Sequence, residues 1–366
     1  MPGGEKKSLR VIIAGGGTGG HLFPGIAIAE EFMIKDPTNQ VLFINTGKPF
    51  ETSILKKFGL NQKRITAAGM KGQNLKKKAA SFLKVPKGLV ESIRILKKFK
   101  PDVVLGIGSY SAGVVVLAGW LMGAKIALHE QNILPGMTNR LLSPLAHRIY
   151  VSFEKTKLWL IGKQIKVTGN PVRKKILNCE KRVNKNKDPF TVLIVGGSQG
   201  AHSINVAVME AIEKLDDKDS IFFIHQTGTA DQAVVKTRYQ ASGILAKVQA
   251  FFDDMAQPYK DANLVICRAG ATTVAEITAL GKPALFIPYP FAADNHQVLN
   301  ARMLESKGAA EMILQENLNG RSLSEKIEFY LQHPDILKRM GKRAKAFGKP
   351  NAAADIVADC YHLVLG

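Results

Sequence analysis

The sequence predicts an α/β protein of two doubly wound lobes, each built on a parallel sheet. Short apolar runs are followed at once by a glycine-rich turn and a helical pattern, and this unit occurs four times. Apolar strands that alternate with helices are typical of parallel sheets covered on both faces. The first turn resembles the third and the second resembles the fourth, which predicts two similar lobes rather than one large sheet. A chain of 366 residues can bury two cores.

Eight strands are predicted, and four of them end in glycine-rich turns. Those four, with their turns, are residues 11–14 with 15–20, 103–105 with 106–109, 191–195 with 196–200, and 264–266 with 267–270. The four plainer strands are residues 41–44, 125–128, 221–224 and 284–287.

The seam between the lobes is predicted at residues 169–188, where Gly-Asn-Pro precedes a polar, basic run that is typical of a linker. This gives an N-terminal lobe of residues 1–169 and a C-terminal lobe of residues 170–345. The stretch from Lys342 to Gly366 has a helical pattern. We expect its last part, residues 346–366, to pack back on the N-terminal lobe.

Composition narrows the cellular setting. The three cysteines are far apart and lack CxxC spacing, so we expect neither a disulfide framework nor a zinc site. We expect the protein to lie in a reducing cytoplasm. The apolar run after Arg10 is too short for a secretory signal. The longest apolar stretch, residues 114–128, contains two glycines and a lysine and is too short to span a membrane.

The net charge of +21 favours an anionic partner. The window from Lys63 to Lys100 holds twelve Lys or Arg and a single acid, Glu91, interleaved with apolar residues. This mixture is typical of a surface that docks on anionic lipid, and an ordinary solvated basic face above core residues is equally consistent with it. Nucleic acid is not expected, because no reading motif is present and the window has only two aromatic residues, Phe82 and Phe99.

Two glycine turns in the second half predict a diphosphate site. The loop 196–200 precedes a helix whose free main-chain N–H groups and dipole favour an anion without a metal, and the Ser198 hydroxyl can donate one more bond. In the partner turn 270–276, Glu276 is placed to accept hydrogen bonds from a ribose diol, with Arg268 and the cluster 294–297 nearby. The alternatives are a tight turn without ligand and a carboxylate that only complements the helix dipole.

The first glycine loop predicts a base rather than a dinucleotide. Residues 15–20 have GxGxxG spacing but no GK[ST], and the acid that NAD requires at the end of the second strand is missing. His21 follows the loop and is a proton acceptor suited to neutral pH, although a buried or capping histidine is the commoner outcome.

Further polar clusters, 108–113 and 129–132, follow predicted strands, where open α/β sheets bind ligands. Glu130 could orient a histidine or act as a base, and Arg173 at the seam could clamp a leaving phosphate or be a linker charge. The DxD spacing of Asp217 and Asp219 falls in a charged loop, so no metal is expected. No cofactor is expected either.

These motifs together resemble the UDP-N-acetylglucosamine transferases of peptidoglycan synthesis. The resemblance rests on GGTGGHLFPG at 16–25, HEQN at 129–132, GNPVR at 169–173, GGSQGA at 196–201, and DDMAQPY with CRAGATTVAE within 253–276. It implies a GT-B type glycosyltransferase with two Rossmann-like doubly wound lobes facing a central cleft, the donor in the second lobe and the acceptor in the first.

The resemblance also implies roles for individual residues. His21 is the candidate base, with Tyr110 and Glu130 nearby. The residues implied to contact the UDP-sugar are Thr18, Gly19, Gly20, Asn132, Arg173, Ser198, Phe252 through its backbone, Ala271, Thr272, Thr273, Val274, Ala275, Glu276 and Gln297.

The implied reaction inverts the anomeric centre. GlcNAc passes from UDP-GlcNAc to the 4-hydroxyl of MurNAc in undecaprenyl-diphospho-MurNAc-pentapeptide, at the cytoplasmic face of the bacterial inner membrane, where residues 63–100 hold the enzyme peripherally. The nearest enzymatic alternative is a nucleotide-sugar 2-epimerase, which shares the two-lobed fold and needs no lipid-facing patch.

Overall fold

The computed structural model describes residues 8–67, 75–162, 164–179, 189–197 and 199–366, with side chains in the helix that begins at Leu75 described from Val85 onward. The chain divides into two compact units. The first unit consists of two stretches of the chain, the residues up to Arg173 and the C-terminal stretch Pro350–Gly366. The second unit is Lys174–Lys349.

Thirteen strands and fourteen helices are present in the described residues. The strands are β1 (Arg10–Ala14), β2 (Gln40–Asn45), β3 (Asn61–Arg64), β4 (Val103–Gly106), β5 (Lys125–Glu130), β6 (Arg148–Val151), β7 (Ile165–Val167), β8 (Phe190–Val195), β9 (Ile221–Gln226), β10 (Ala246–Gln249), β11 (Leu264–Cys267), β12 (Ala284–Phe286) and β13 (Glu311–Met312). The helices are α1 (Gly19–Lys35), α2 (Pro49–Lys57), α3 (Leu75–Phe99), α4 (Tyr110–Leu121), α5 (Met137–Leu142), α6 (Lys174–Leu177), α7 (His202–Lys214), α8 (Gln232–Ser242), α9 (Ala256–Asp261), α10 (Ala271–Leu280), α11 (His296–Glu305), α12 (Gly320–Gln332), α13 (Pro334–Ala346) and α14 (Ala352–Leu365).

The first unit is a seven-stranded parallel sheet in the order β3-β2-β1-β4-β5-β6-β7. Helices cover both faces, which is why the middle residues of the central strands β1, β4 and β5 are apolar. Val11 and Ile13 of β1 point into the core beside α1 and α14, and Ile12 and Ala14 point into the core beside α4. This alternation follows from the two-residue period of a strand.

The C-terminal helix α14 packs against α1 of the first unit. The carboxylate of Asp359 anchors it by accepting hydrogen bonds from Tyr150, Arg148 and Lys166. The single helical stretch predicted from Lys342 is wrong at its start, because α13 ends at Ala346 and α14 begins at Ala352. Pro350 lies in the break, where a residue that cannot donate a backbone hydrogen bond favours separate helices.

The second unit is a six-stranded parallel sheet in the order β10-β9-β8-β11-β12-β13. Helices α7 and α12 pack against each other on the sheet, and α13 packs against α10 and also contacts α12. The eight predicted strands are all present. The fold-class prediction of two Rossmann-like parallel-sheet lobes is therefore confirmed.

In each sheet, the chain adds strands from the first strand toward one edge and then returns to add strands toward the other edge. The point between these two directions is the winding reversal. In the first unit the reversal lies between β1 and β4, and in the second it lies between β8 and β11. Loops at the carboxyl ends of the strands flanking such a reversal form the ligand-binding crevice of open α/β sheets. The four glycine-rich turns of the sequence follow these four strands.

No helix in the described residues is long and apolar enough to cross a membrane.

Candidate active site

The first glycine loop joins β1 to α1 and lies against the loop after β4. Gly15 has φ +139°, and a Cβ there would lie 2.4 Å from the carbonyl oxygen of Gly108. A Cβ on Gly16 would lie 2.6 Å from a carboxylate oxygen of Glu51. These two positions require glycine because backbone and a buried carboxylate occupy the space of a side chain.

Glu51 is a functional neighbour of this loop to which sequence reasoning gave no role. It is 1% exposed, and its carboxylate accepts hydrogen bonds from the N–H of Gly17, the hydroxyl of Thr46 and the N–H of Lys48. One loop amide that could have bound a phosphate is therefore bonded to a carboxylate. A second anion close to this carboxylate would be disfavoured by charge repulsion.

His21 lies in the first turn of α1, half-buried, directly after the loop. Its ring packs against Gly108, where a Cβ would lie 2.9 Å from both Cε1 and Nδ1. Nδ1 lies 3.1 Å from Oε1 of Gln131. The ring is therefore held at the winding reversal of the first sheet by its Nδ1 edge, and it is not a buried core histidine.

Glu130 ends β5 and organises the loop that follows. It is 2% exposed, and Oε1 accepts the N–H of Asn132 at 3.0 Å. Oε2 accepts the N–H of Gly136 at 3.0 Å and the amide of Asn139 at 2.8 Å. Both oxygens are committed to this loop, so the geometry favours His21 over Glu130 as the base.

The remaining predicted residues of the first unit lie around the same loops. Thr18 and Gly20 are exposed and Gly19 is half-buried at the start of α1, and Tyr110 begins α4 half-buried. Asn132 is held by Glu130 and accepts a hydrogen bond from Thr156 at its carbonyl.

Arg173 ends the first stretch of this unit with its guanidinium stacked on an aromatic ring. Its guanidinium carbon lies 4.4 Å from the ring centroid of Phe23 and 5.9 Å from that of Phe58. A cation–π contact of this kind holds the planar, positively charged guanidinium in a fixed orientation.

In the second unit, the loop after β8 packs backbone to backbone against the loop after β9. A Cβ on Gly200 would lie 2.0 Å from the carbonyl oxygen of Thr227, and one on Gly228 would lie 2.3 Å from that of Gln199. Gly197, with φ +94°, has no atom within 4 Å of a Cβ position among the described residues. Backbone at Gly197 is therefore open to a ligand, whereas Ser198 lies outside the residues that the structure describes.

Gln226 links this loop to the segment that carries Phe252. Its amide nitrogen donates to the carbonyl of Gly197 at 2.9 Å, and its amide oxygen accepts the N–H of Phe252 at 2.9 Å. The N–H of Phe252 is thus bonded to protein. Backbone recognition of a base at this residue would have to use its carbonyl group.

The other side of the reversal is the N-terminus of α10. Gly270 has no side chain to cap the helix, and the first intrahelical bond runs from the N–H of Val274 to the carbonyl of Gly270. The N–H groups of Ala271, Thr272 and Thr273 precede that bond and point out of the helix end. Their aligned dipoles make this end favourable for an anion.

The predicted side chains of α10 divide into core and surface. Ala271 and Val274 are buried, whereas Thr272, Thr273 and Ala275 are partly exposed. Glu276 is buried, and its Oε2 accepts the hydroxyl of Tyr259 at 2.9 Å.

Arg268 has a structural role. Its guanidinium donates to the carbonyl of Ile287 at 3.0 Å, to the hydroxyl of Ser203 at 2.9 Å and to Gln315 at 2.8 Å. Its donors are therefore engaged with the segment after β12, with Ser203 of α7 and with Gln315, and its place beside the ligand stays a prediction.

Gln297 lies in the first turn of α11 and accepts the N–H of Tyr289 at 3.0 Å through its amide oxygen. Asp294 and Asn295 before it have left-handed backbone, with φ +54° and +51°. Left-handed non-glycine residues are strained and concentrate at functional loops. The turn presents the amide of Gln297 as a fixed donor.

Comparison with known proteins assigns the chain to a family. The description "Glycosyltransferase family 28 N-terminal domain" matches residues 11–151, and "Glycosyltransferase family 28 C-terminal domain" matches residues 191–356. The chain belongs to glycosyltransferase family 28. The first matched range covers β1 to β6 of the first sheet, and the second covers β8 to β13 and extends into α14. Family 28 membership establishes the chain as a glycosyltransferase.

Full-length relatives narrow the comparison. The chain is 44% identical, over 98% of its length and 99% of the relative, to the UDP-N-acetylglucosamine--N-acetylmuramyl-(pentapeptide) pyrophosphoryl-undecaprenol N-acetylglucosamine transferase of Syntrophus aciditrophicus. It is 46% identical to the protein of the same name from a Geobacter species, over 96% of this chain and 95% of that one.

Solved structures agree on the fold. MurG of Acinetobacter baumannii superposes with a TM-score of 0.77 at 30% identity, covering 97% of this chain and 99% of that one. A UDP-GlcNAc 2-epimerase from Neisseria meningitidis superposes with a TM-score of 0.66 at 15% identity, covering 96% and 99%. The second likeness shows a shared fold only.

Sequence reasoning on this family 28 chain missed three polar residues that organise the loops. They are Glu51, Gln131 and Gln226. Glu51 and Gln226 lie outside every motif and act across the fold on a loop distant in sequence. Gln131 lies inside the HEQN motif, and its position two residues after His129 was a usable signal that both side chains meet on one side of the chain.

Proposed function

We propose that this chain transfers GlcNAc from UDP-GlcNAc to the 4-hydroxyl of MurNAc in undecaprenyl-diphospho-MurNAc-pentapeptide, with inversion at the anomeric carbon, in peptidoglycan synthesis. The observation that carries the proposal is the near full-length identity of 44% to a transferase with this donor and acceptor in its name. The two winding reversals supply the matching chemistry, an anion-binding helix end in the second unit and a histidine base in the first.

The donor diphosphate is assigned to the second unit. Backbone at Gly197 and the N–H groups at the start of α10 offer hydrogen bonds and partial positive charge without a metal. Thr272, Thr273 and Glu276 supply polar side chains on the same helix, and Gln297 supplies an amide donor from α11. Ser198, which the sequence adds to this set, stays a prediction.

The base is assigned to His21 of the first unit. The acceptor oxygen attacks C1 of GlcNAc as its proton passes to Nε2 of His21, and the bond from C1 to the diphosphate oxygen breaks with its electrons leaving on UDP. Negative charge grows on the leaving diphosphate, where main-chain N–H groups stabilise it. Thr18, Gly19, Gly20, Asn132 and Arg173 stay predicted contacts of the UDP-sugar.

A transferase and an epimerase of this fold are separated by one incubation. With UDP-GlcNAc and a soluble lipid-linked MurNAc-peptide analogue, we expect disaccharide and UDP in equal amounts. With UDP-GlcNAc alone, we expect the donor to persist unchanged. Conversion of UDP-GlcNAc to its 2-epimer without acceptor would refute the transferase assignment.

Membrane docking is proposed for the outer face of α3, α4 and α5, which pack side by side on the first sheet. Arg140 of α5 lies 5.2 Å from the ring of Trp159, which ties the segment Glu154–Trp159 to this face. The large exposed apolar side chains here are Val90, Trp120, Leu121, Met137, Leu141, Leu158, Trp159 and Ile161. The exposed cations on the described part of α3 are Lys87, Arg94, Lys97 and Lys98.

This mixture suits the cytoplasmic face of the bacterial inner membrane. Cations attract anionic headgroups, and tryptophan and leucine enter the boundary between headgroups and acyl chains. Of the basic window from Lys63 to Lys100, residues 68–74 and the side chains of 75–84 lie outside the described part of the chain.

Vesicle sedimentation tests the docking face. Replacing Arg94, Lys97 and Lys98 with Gln should weaken binding to phosphatidylglycerol vesicles by about fivefold per residue, from roughly 1 kcal/mol each. The matched control replaces the exposed Lys214, Lys236 and Lys307 of the second unit, and its binding should equal wild type. Equal loss in both triple variants would indicate general charge attraction and not a docking face.

A further inference from the structure

A chain of hydrogen bonds runs from His21 into the core of the first unit. Nδ1 of His21 lies 3.1 Å from Oε1 of Gln131. The amide nitrogen of Gln131 donates to the carbonyl of Ile107 at 2.9 Å and lies 3.1 Å from Nδ1 of His129. Nε2 of His129 lies 3.3 Å from the carbonyl of Gly169.

The carbonyl groups at two points of this chain fix the direction of every bond. A backbone carbonyl can only accept, so the group of Gln131 that faces Ile107 must be its NH2, and Oε1 must face His21. An oxygen can only accept, so Nδ1 of His21 carries the proton. The other amide hydrogen of Gln131 is directed at Nδ1 of His129, so His129 carries its proton on Nε2 and donates to Gly169.

His129 has to be neutral for this arrangement, and its surroundings keep it so. It is fully buried between β4 and β6, and burial lowers its pKa from 6.5 to about 4. Its Nδ1 therefore keeps a lone pair at neutral pH and accepts from Gln131.

Gln131 itself is positioned by the strand geometry. It follows β5 by one residue and is 1% exposed, so its side chain cannot leave for solvent without breaking its bonds to Ile107 and His129. An amide held at its NH2 end presents its oxygen in one place. The ring of His21 meets that oxygen at Nδ1 and meets Gly108 on the side where a Cβ is missing.

We propose that Gln131, backed by His129, is a positioning residue that holds His21 in the tautomer protonated at Nδ1, so that the lone pair of Nε2 faces the acceptor hydroxyl. This rests on the proposed transferase function, in which His21 is the base. Neutral imidazole in water favours the opposite tautomer, whose Nε2 already carries a proton and cannot accept another.

In the transfer step, Nε2 takes the hydroxyl proton and His21 becomes an imidazolium. Both of its nitrogens then carry protons, and the N–H of Nδ1 keeps donating its hydrogen bond to the oxygen of Gln131. A hydrogen bond from a cation to that oxygen is stronger than one from neutral imidazole. Gln131 therefore contributes more as the charge develops than before it, which is the condition for lowering the barrier.

The tautomer can be read directly, without an activity assay. In ¹⁵N NMR spectra of the full-length protein, the signal of His21 is identified among the eight histidines by its loss in His21→Asn. We expect wild type to show a protonated Nδ1 and an unprotonated Nε2. In Gln131→Met, which keeps the length of the side chain and removes its polar atoms, we expect the proton to move to Nε2.

Turnover supplies the second readout. Gln131→Met should lower kcat by about 10- to 100-fold, at or below the lower end of the roughly 10²- to 10⁴-fold that a positioned base contributes, with the KM for UDP-GlcNAc unchanged. Gln131→Glu retains an oxygen acceptor for Nδ1 and should recover part of the lost kcat. A role limited to packing would predict no such recovery, because Glu brings a buried charge.

Asn39 offers the matched control. It is a buried amide of the same unit that accepts from the N–H of Leu9 and donates to the carbonyl of Phe32. It lies just before β2, at the amino ends of the strands, whereas Gln131 lies at their carboxyl ends. Asn39→Leu should lower the melting temperature without changing the His21 signals or kcat.

Three results bear on the proposal. Retention of the Nδ1 proton and wild-type kcat in Gln131→Met would overturn it, even if His21→Asn is inactive. A wild type whose Nε2 is protonated would also overturn it. Absence of GlcNAc transfer by wild type would refute the proposed function, while the NMR spectra would still decide whether Gln131 sets the tautomer.

Discussion

The winding reversals of the two sheets have the same topology but differ in charge. Between β1 and β4, the carboxylate of Glu51 accepts the N–H of Gly17 within the glycine loop. Between β8 and β11, the corresponding loop is held by the neutral amide of Gln226, which donates to the carbonyl of Gly197 and so leaves no charge there. The carboxylate thereby disfavours a phosphate at Gly17, whereas the backbone at Gly197 stays open to one.

This difference shows how one fold supplies two kinds of chemistry. A glycine loop at a helix end binds anions only if its own donors are not already paired with a carboxylate. In the first unit the loop serves to place His21 against Gly108, and in the second it leaves backbone groups for the donor. The glycine pattern alone does not distinguish these two uses.

The largest expected effect separates the base from the donor site. His21→Ala should lower kcat by about 10²- to 10⁴-fold, because proton removal by a positioned base contributes that much. The dissociation constant of UDP, measured by calorimetry, should stay at the wild-type value. Near-normal turnover in His21→Ala would remove His21 from the role, and attention would pass to Glu130.

The two glycines of the second loop should fail in different ways. Gly200→Ala places a Cβ against the carbonyl of Thr227 at φ +79° and should lower the free energy of unfolding by about 1–3 kcal/mol. In Gly197→Ala the new methyl group points into the open space that is assigned to the diphosphate, so UDP binding should weaken by roughly tenfold. The loss of stability should be smaller, about 1 kcal/mol, because no protein atom is displaced. Denaturant titration and calorimetry on both variants give these values.

If Gly197→Ala binds UDP as tightly as wild type, the diphosphate does not approach this backbone.

Glu51→Gln tests the closed loop of the first unit. The substitution keeps the shape of a buried side chain but turns an NH2 group, which can only donate, toward the N–H of Gly17 or toward the hydroxyl of Thr46 and the N–H of Lys48. We expect a loss of about 1–3 kcal/mol in the free energy of unfolding and an unchanged UDP affinity. Tighter UDP binding in Glu51→Gln would mean that the first loop is also a diphosphate site.

Acid should destabilise both units through their buried histidines. Burial lowers the pKa of His129 to about 4 and that of His225 to about 3, whereas the unfolded chain has the ordinary value of 6.5. The unfolded state therefore binds more protons below pH 6.5, and stability present above that pH is lost as pH falls. His225→Gln should reduce this loss by about 1 kcal/mol between pH 6.5 and 5.5.

Urea unfolding at several pH values measures this dependence. His362→Gln, which removes an exposed histidine, is the control and should keep the wild-type slope. The same slope in His225→Gln would show that His225 is not held neutral.

The central strands of both sheets were predictable because a strand buried on both faces requires a continuous run of apolar residues. The strands β1, β2, β4, β5, β8, β9, β11 and β12 all have apolar runs of three or four residues. The five other strands escaped prediction for a physical reason. They are short or lie toward the sheet edges, where one face is exposed, and β3 is the polar sequence Asn-Gln-Lys-Arg.

The site was predictable at its glycines and only partly at its side chains. Gly15 and Gly200 leave a signal because a positive φ and a close backbone approach exclude other residues. The hydrogen bonds of the Phe252 N–H and of the Arg268 guanidinium leave no signal in the sequence, because their partners are distant in the chain. Tautomer and hydrogen-bond direction at His21 likewise follow only from the three-dimensional network.

The most direct test of the contrast is an amide NMR titration of the full-length, deuterated protein with UDP in the presence of EDTA. We expect the largest shifts at Gly197 and at the first residues of α10, Ala271 to Thr273, with Gly15 to Gly17 nearly unchanged. Shifts concentrated at Gly15 to Gly17, or binding that is lost when EDTA is added, would contradict the account.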